Sequence, residues 1–485
     1  MKANLDTVIR GLEKVDKSRT ENVVINGVTN DSRKVKKGHL FVAIRGESFD
    51  GHKYVNMAIE KGAVAVVVDR DFNQELPQSV AVLKCENTRI AYSKMCSNWF
   101  ERPSEKLILV GVTGTNGKTS VTSLLYSLFK GMGYKVGLIS TVEILIGDER
   151  VDAQMTTPDA YVLHDYFSRM YDAGCSYVFM EVSSHALHQY RVQDVDFDVA
   201  VFTNITHDHL DYHETFKNYI SAKKMLFDGL SNDAVAIINI DDINGTIMSQ
   251  NTDAKVLTYG LRSFADYKAK VLSSGTGGML VSLNDVQFYT RLVGRFNVYN
   301  LTAVYGVVEQ LLDVDQMELF ESLSAITPPK GRMELVHQQP CVIVDYAHTP
   351  DALDNVLKSV RADYKGKTIV VVGCGGDRDK TKRPLMAQIA VLHSDYVVLT
   401  SDNPRSEDPQ SIIDDMIEGV AVSDKSKLLS MTDRSMAIKT AIMLAGREDV
   451  VIIAGKGHET YQEIGGVKHY FSDQETVKDI LSKDI

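Results

Sequence analysis

This sequence predicts an α/β protein of two or three domains, on three observations. The apolar run Leu107-Ile108-Leu109-Val110 leads into a turn with Gly111, Gly114 and Gly117, after which Ser120 to Phe129 takes up helical spacing. Apolar stretches ending in polar, glycine- or proline-marked turns recur along the chain and alternate with helical segments, as in a parallel sheet. A chain of 485 residues also exceeds what one core ordinarily organises.

Composition narrows the class. With 44% hydrophobic and 24% charged residues the chain reads as globular, and its net charge of −11 argues against nucleic acid as the main partner. An anionic substrate must then be met by local Arg and Lys. The five cysteines are scattered and free of C-x-x-C, which predicts a reducing compartment and no zinc site. The start, Met1 to Asp6, lacks an apolar leader, and no run approaches about 18 apolar residues, so the expected location is cytoplasmic without membrane insertion.

Residues 1 to 105 alternate short strands and helices. Asp31 to Gly38 precedes a strand at Leu40–Ile44, and a polar turn, Arg45 to His52, follows. A helix over 53–61 and a strand at Ala63–Val68 come next. The polar turns hold a ligand or are ordinary solvated loops, and the residues alone favour the second. Pro103 to Lys106 reads as a linker.

The turn Thr113-Gly114-Thr115-Asn116-Gly117-Lys118-Thr119 then joins strand to helix, which is phosphate-binding geometry. Its backbone N–H groups close around phosphate oxygens, Lys118 neutralises the terminal phosphates, and the Thr119 hydroxyl is placed to ligate Mg²⁺. Val112 stands where the strict pattern asks for glycine. Further on, Tyr177 to His185 reads as a second buried strand, with Glu181 ending its apolar run. A carboxylate there is costly unless paired, so Glu181 is a candidate Mg²⁺ ligand, the alternative being an exposed strand end. The strand Val199–Asn204 runs into His207, Asp208, His209, Asp211 and His213, where zinc is disfavoured for want of cysteines or H-E-x-x-H. A helix over 219–227, strands near 234–240 and 255–260, and a β-rich stretch near 268–292 follow. Gly294 opens another helix, with Asn297 and Asn300 on one face.

Pro328 to Glu334 marks the next boundary. Beyond it, four strand-to-turn units begin at Cys341, Thr368, Tyr396 and Asp449. A parallel sheet built from them gathers Asp345, Arg378, Arg405 and Glu459 at its carboxyl edge.

Ten motifs in order, T-G-T-N-G-K-T, E-V-S-S-H, N-I-T-x-D-H-L-D-x-H, A-K, G-R-F-N-x-x-N, G-R-M-E, D-Y-A-H-T-P, G-G-D-R-D-K-x-K-R-P, D-N-P-R and K-G-H-E, resemble those of the Mur ligase family. The branch most similar adds the third amino acid to UDP-N-acetylmuramoyl-L-alanyl-D-glutamate. The resemblance spans the chain and implies an α/β protein of three domains. A central P-loop parallel-sheet ATPase domain (106–332) is flanked by an N-terminal α/β UDP-binding domain (1–105) and a C-terminal Rossmann-like domain (333–485).

By the same resemblance ATP is held by Gly114, Thr115, Asn116, Gly117, Lys118, Thr119 and Ser120, with Asn300, Arg332 and Asp345 around adenine and ribose. Ser32 and the Glu47-Ser48-Phe49 turn hold the UDP part. Thr156, Thr157, Ser183, Gln189 and Arg191 hold the muramoyl-peptide, and Met155 replaces an Asn common in relatives. Lys118, Lys223, His209 and Glu181 are the implied catalytic set. Mg²⁺ is implied on Thr119, Glu181, His209 and a carbamylated Lys223, with Lys224 a one-residue alternative. The chain is expected to be a monomer.

The implied chemistry is amide formation. ATP phosphorylates a carboxylate, an amine attacks the acyl phosphate, and phosphate leaves, so catalysis is positioning plus charge neutralisation. Asp402-Asn403-Pro404-Arg405 is similar to the motif of family members that add meso-2,6-diaminopimelate, so the resemblance implies that amine, a guanidinium forking onto the carboxylate that lysine lacks. By the same resemblance Arg378 is expected to take the other carboxylate, and Glu459 and Gly455 the distal ammonium. L-Lysine is the alternative amine. Folylpolyglutamate synthase shares the central fold but is not expected to match the Ser32 region or D-N-P-R, and a nucleotide switch would need an N-K-x-D segment that is absent from the sequence.

Overall fold

Three β-sheets, each drawn from its own stretch of chain, organise the molecule. The computed structural model describes residues 2–482 apart from 14, 47, 48, 207 and 276. In the first sheet Gly27–Thr29, His39–Val42, Ala65–Asp69 and Ala81–Cys85 run parallel, with Asp16–Ser18 antiparallel at the edge. Asn87 caps the helix Thr88–Trp99, whose Ala91, Tyr92, Met95, Cys96 and Trp99 join the core beneath it. The helix predicted over 53–61 begins as a 3₁₀ turn, Gly51–Tyr54, and continues as Val55–Glu60. The expected linker at Pro103–Lys106 is a 3₁₀ turn with Pro103 and Ser104 buried, so this connection is packed.

In the central sheet seven parallel strands lie in the order Val136–Ile139, Tyr177–Glu181, Ile108–Thr113, Val199–Phe202, Val235–Asn239, Lys255–Gly260 and Tyr267–Gly275. Both faces are covered. Val178 and Met180 enter one core while Tyr177 and Phe179 enter the other, which is why the strands read as unbroken apolar runs. The parallel body of the sheet agrees with the sequence reading, and its margins add strands to which that reading gave no direction. Glu143–Ile146 and Glu149–Asp152 add antiparallel strands at one margin, and Gly278–Leu283 and Val286–Thr290 at the other. Tight turns permit these returns: Gly147 (φ +58°) closes one hairpin, and Asn284 (φ +43°) with Asp285 (φ +68°) closes another. The chain leaves Ile108–Thr113 toward one side and later adds Val199–Phe202 on the other. The crevice at their carboxyl ends is therefore a topological switch point.

The third sheet runs Glu334–Gln338, Cys341–Asp345, Val450–Ala454, Thr368–Val372, Tyr396–Thr400, Leu428–Met431, parallel except for its first pair. A hairpin, Tyr461–Ile464 with Val467–Tyr470, stands outside it. Among the described residues no helix is long and apolar enough to cross a membrane.

Candidate active site

Backbone conformation shapes the phosphate loop first. Gly114 and Gly117 carry φ of +151° and +90°, which residues with side chains rarely adopt. A Cβ on Gly117 would lie 2.7 Å from Asn300 Oδ1, so the loop meets Asn300 because residue 117 is glycine. Lys118 begins the helix Lys118–Gly131 and folds its Nζ back onto the carbonyls of Gly114 (2.9 Å) and Thr115 (2.8 Å). Burial pushes this ammonium below its usual range, while Glu181 and Asp208 pull the other way. Thr119 Oγ1 accepts from Arg332 Nη2 at 3.1 Å, and the Arg332 guanidinium stacks 4.5 Å from the Tyr346 ring centroid.

Beside the loop lies a cavity of about 290 Å³, lined by Asn116, Gly117, Ser120, Asn300, Arg332 and Asp345 among others. These six predicted residues come from both sides of the crevice. Asn300 Nδ2 donates to Asn297 Oδ1 at 3.0 Å, using the helix face they share. Asp345 accepts the N–H groups of Met333 and Ala347, each at 2.7 Å, and burial raises its pKa. Sequence reasoning missed Asp241, Tyr299 and Asp351 on the same wall. The one signal for Asp351 was its place directly after D-Y-A-H-T-P.

Glu181 is fully buried, which removes the exposed-strand-end alternative. The Thr141 N–H donates to its Oε1 at 2.7 Å, and the Thr141 hydroxyl lies 3.2 Å from Oε2 and 3.0 Å from Thr156 Oγ1. These contacts offset the cost of an interior carboxylate. His209 has a left-handed backbone (φ +53°), with its Nε2 3.5 Å from Asp208 Oδ2. Burial pushes His209 down to about 4, so its imidazole is neutral near pH 7. Lys223, on the helix Phe216–Asp228, is buried and donates to Gly114 O at 2.7 Å. Burial, and then the adjacent Lys118, hold its ammonium well below the usual range. Lys224 instead pairs with Asp228, so Lys223 is the lysine that faces the loop.

Among the described residues no group of three or more His, Cys, Asp or Glu side chains could hold a metal ion by itself. Thr119 and Glu181 supply hard oxygen donors, and His209 a neutral imidazole. An unmodified Lys223 ammonium would repel a cation, so this donor set fits Mg²⁺ once that lysine carries a carbamate.

A smaller cleft of about 170 Å³ lies between the first and second units, lined by Asn30, Arg89, Met155, Asp159, Gln189 and Arg191 among others. Arg191 Nη1 donates to Thr157 O at 2.8 Å and lies 3.5 Å from Met155 Sδ, so Met155 gives Arg191 a soft neighbour. Gln189 Oε1 accepts from Arg191 Nη2 at 2.6 Å. Thr157 Oγ1 is occupied internally, donating to Glu181 O and accepting from Ser183 N. The Ser183 hydroxyl caps the helix Ser184–His188. Ser32 is buried, with its carbonyl accepting from Lys61 Nζ at 3.2 Å, and Phe49 is exposed. Neither lines this cleft. Glu47 and Ser48 lie outside the described residues.

A third cavity, of about 710 Å³, is lined by Asp208 and His209 together with Arg378, Asp402, Asn403, Arg405, Gly455 and Glu459 among others. Arg405 also sits on left-handed backbone (φ +52°). Its N–H donates to Glu463 O (3.0 Å), its Nη1 to Gly376 O (2.7 Å), and its Nε lies 3.6 Å from Glu463 Oε2. The Pro404 carbonyl accepts from Glu407 N at 3.0 Å, fixing the turn without lining the cavity. Arg378 is exposed at the rim, while Lys382, which sequence reasoning did not single out, lines the wall.

Three family models match consecutive stretches: "Mur ligase family, catalytic domain" over residues 24–107, "Mur ligase middle domain" over 112–308, and "Mur ligase, glutamate ligase domain" over 331–457. The chain belongs to the Mur ligase family. This Mur ligase is 49% identical over 484 residues to the UDP-N-acetylmuramoyl-L-alanyl-D-glutamate--2,6-diaminopimelate ligase of Phocaeicola vulgatus, covering 98% of this chain and 100% of that one. It is 50% identical over 464 residues to the same-named protein of Cytophaga hutchinsonii, covering 95% of each. A solved structure of a ligase with that name matches at a TM-score of 0.71 and 33% identity, covering 100% of this chain and 99% of that one.

Proposed function

We infer that this Mur ligase joins meso-2,6-diaminopimelate to UDP-N-acetylmuramoyl-L-alanyl-D-glutamate at the expense of ATP, in peptidoglycan synthesis. The observation that carries this is the 710 Å³ cavity, whose lining includes both His209 and Arg405. A diacid amine held in that cavity has its carboxylate at a guanidinium and its reacting amine toward the nucleotide side.

The γ-phosphoryl group of ATP passes to the D-glutamyl carboxylate, releasing ADP. The neutral amine attacks the acyl carbon, phosphate leaves with the C–O electron pair, and the amine loses a proton. Lys118 exchanges its two loop carbonyls for phosphate oxygens and neutralises charge as it develops. Mg²⁺ held by Thr119, Glu181, His209 and carbamylated Lys223 supplies further neutralisation when bound. Ser32, the Glu47–Phe49 turn, Thr156, Thr157, Ser183, Gln189 and Arg191 serve the UDP-muramoyl-peptide. The working domain limits are 1–105, 106–332 and 333–485, for a monomer acting in the cytoplasm.

Phosphate release with ATP, the UDP-muramoyl-dipeptide and each amine, singly and together, tests the reading. Release that requires dipeptide and meso-2,6-diaminopimelate together supports it. Release with L-lysine but not meso-2,6-diaminopimelate overturns the amine, and release without either acceptor overturns the ligase.

A further inference from the structure

Lys456 is a buried cation to which the reaction above gives no task. It lies between Gly455 and Gly457 in the turn after the strand Val450–Ala454, and its side chain is fully buried. Taking an ammonium out of water is costly unless acceptors and a counter-charge surround it, and a position that only needed filling would be met by Leu or Met. Lys456 Nζ has both: it donates to Asn403 Oδ1 at 3.0 Å and to Glu459 Oε2 at 2.9 Å. Asn403 Nδ2 donates to that same Glu459 oxygen at 2.9 Å. Asn403 and Glu459 line the 710 Å³ cavity, whereas Lys456 stands behind them.

The geometry is asymmetric at the carboxylate. Oε2 of Glu459 is committed to two donors, which leaves Oε1 as the oxygen to meet a ligand. Asn403 Oδ1 also accepts the N–H of Glu463, whose own carbonyl accepts from the Arg405 backbone. One buried ammonium thus ties the turn bearing Glu459 to the turn bearing Arg405.

We propose that Lys456 is a positioning residue: it fixes Glu459 as a single-ammonium receptor at a set distance from Arg405, selecting an amino acid that carries a second amine next to its second carboxylate. This rests on the diaminopimelate reading. Lys456 touches no substrate and acts through Glu459 and Asn403.

The test compares meso-2,6-diaminopimelate with 2-aminopimelate, which keeps both carboxylates and one amine but lacks the second. In the wild type kcat/KM favours the diamine. Lys456→Met is expected to reduce that preference by about tenfold or more, through a higher KM for the diamine, with the KM for ATP and the turnover of 2-aminopimelate within about threefold. Glu459→Gln should lower the preference similarly, and the double variant no further. Equal losses for both amines, or an unchanged preference, would overturn the proposal, since a role in folding alone spares the ratio. Lys456→Gln, which keeps an N–H donor without the charge, gives the same reading if Lys456→Met does not accumulate as folded protein. A wild type that favours L-lysine overturns the substrate reading and this proposal with it, whereas a wild type that favours the diamine alongside an unaltered variant ratio overturns this proposal alone.

Discussion

The carboxylate of Asp351 accepts a hydrogen bond of 2.8 Å from the side-chain amide of Asn116, 235 residues earlier in the chain. Asn116 belongs to the phosphate loop and Asp351 to the first turn of the helix Pro350–Asp363. Thr206 Oγ1 donates to the same carboxylate oxygen at 3.2 Å. One acid thus ties the nucleotide loop to the unit that carries the amine cavity. Asp351→Ala is expected to lower kcat and raise the KM for ATP, together costing about tenfold or more in kcat/KM, because a charged hydrogen bond contributes about 1.5–3 kcal/mol. The melting temperature should move little, since each unit keeps its own sheet and core. Steady-state kinetics beside a melting curve separate the two effects.

Lys223 yields a prediction from its pKa. Burial beside Lys118 favours the neutral amine, the form that adds carbon dioxide. Activity in carbon-dioxide-depleted buffer should fall and return when bicarbonate is added. Lys223→Met should lose about a hundredfold or more in kcat while its melting temperature holds or rises, because an apolar side chain removes the cost of burying a polar amine. A variant that keeps wild-type turnover would refute the role.

Arg405→Lys keeps the charge but loses the planar fork. The KM for meso-2,6-diaminopimelate should rise about tenfold or more, with the KM for ATP unchanged. Preference over L-lysine should shrink, and competition between the two amines in one reaction measures it.

His164 sets a pH prediction away from the site. Both ring nitrogens are buried without a partner, and burial pushes the imidazole from 6.5 to about 3. A folded value below the unfolded one means stability that is present above pH 6.5 and lost as pH falls toward 3, at about 1.4 kcal/mol per pH unit. His458, also about 3, and His213, about 4, act in the same direction. His164→Leu should raise the melting temperature at pH 5 relative to wild type by more than it does at pH 8. Parallel shifts at the two pH values would contradict this.

Particular residues explain what the sequence could disclose. Gly114 and Gly117 were legible because positive φ and close approach leave few alternatives, and a strand–turn–helix around Lys118 has few readings. Asn297 and Asn300 were legible from helical spacing. Unbroken apolar runs marked the buried parallel strands, whereas the antiparallel margins of the central sheet, at 143–152 and 278–290, carry a weaker pattern that gave no direction. Asp351, Thr141 and Lys456 were harder, because each acquires its meaning from a partner in another turn, and no local pattern announces such a pairing. Lys456 stood inside a quoted motif, yet only its burial between Asn403 and Glu459 gives it a task.

Lys118, finally, already spends its charge on two oxygens of its own loop, and Thr119 is already held by Arg332. A triphosphate reaching this loop therefore trades partners in a cradle whose donors are already hydrogen-bonded. The heat of its capture is a difference between hydrogen bonds from cations to neutral oxygens and hydrogen bonds from the same cations to phosphate.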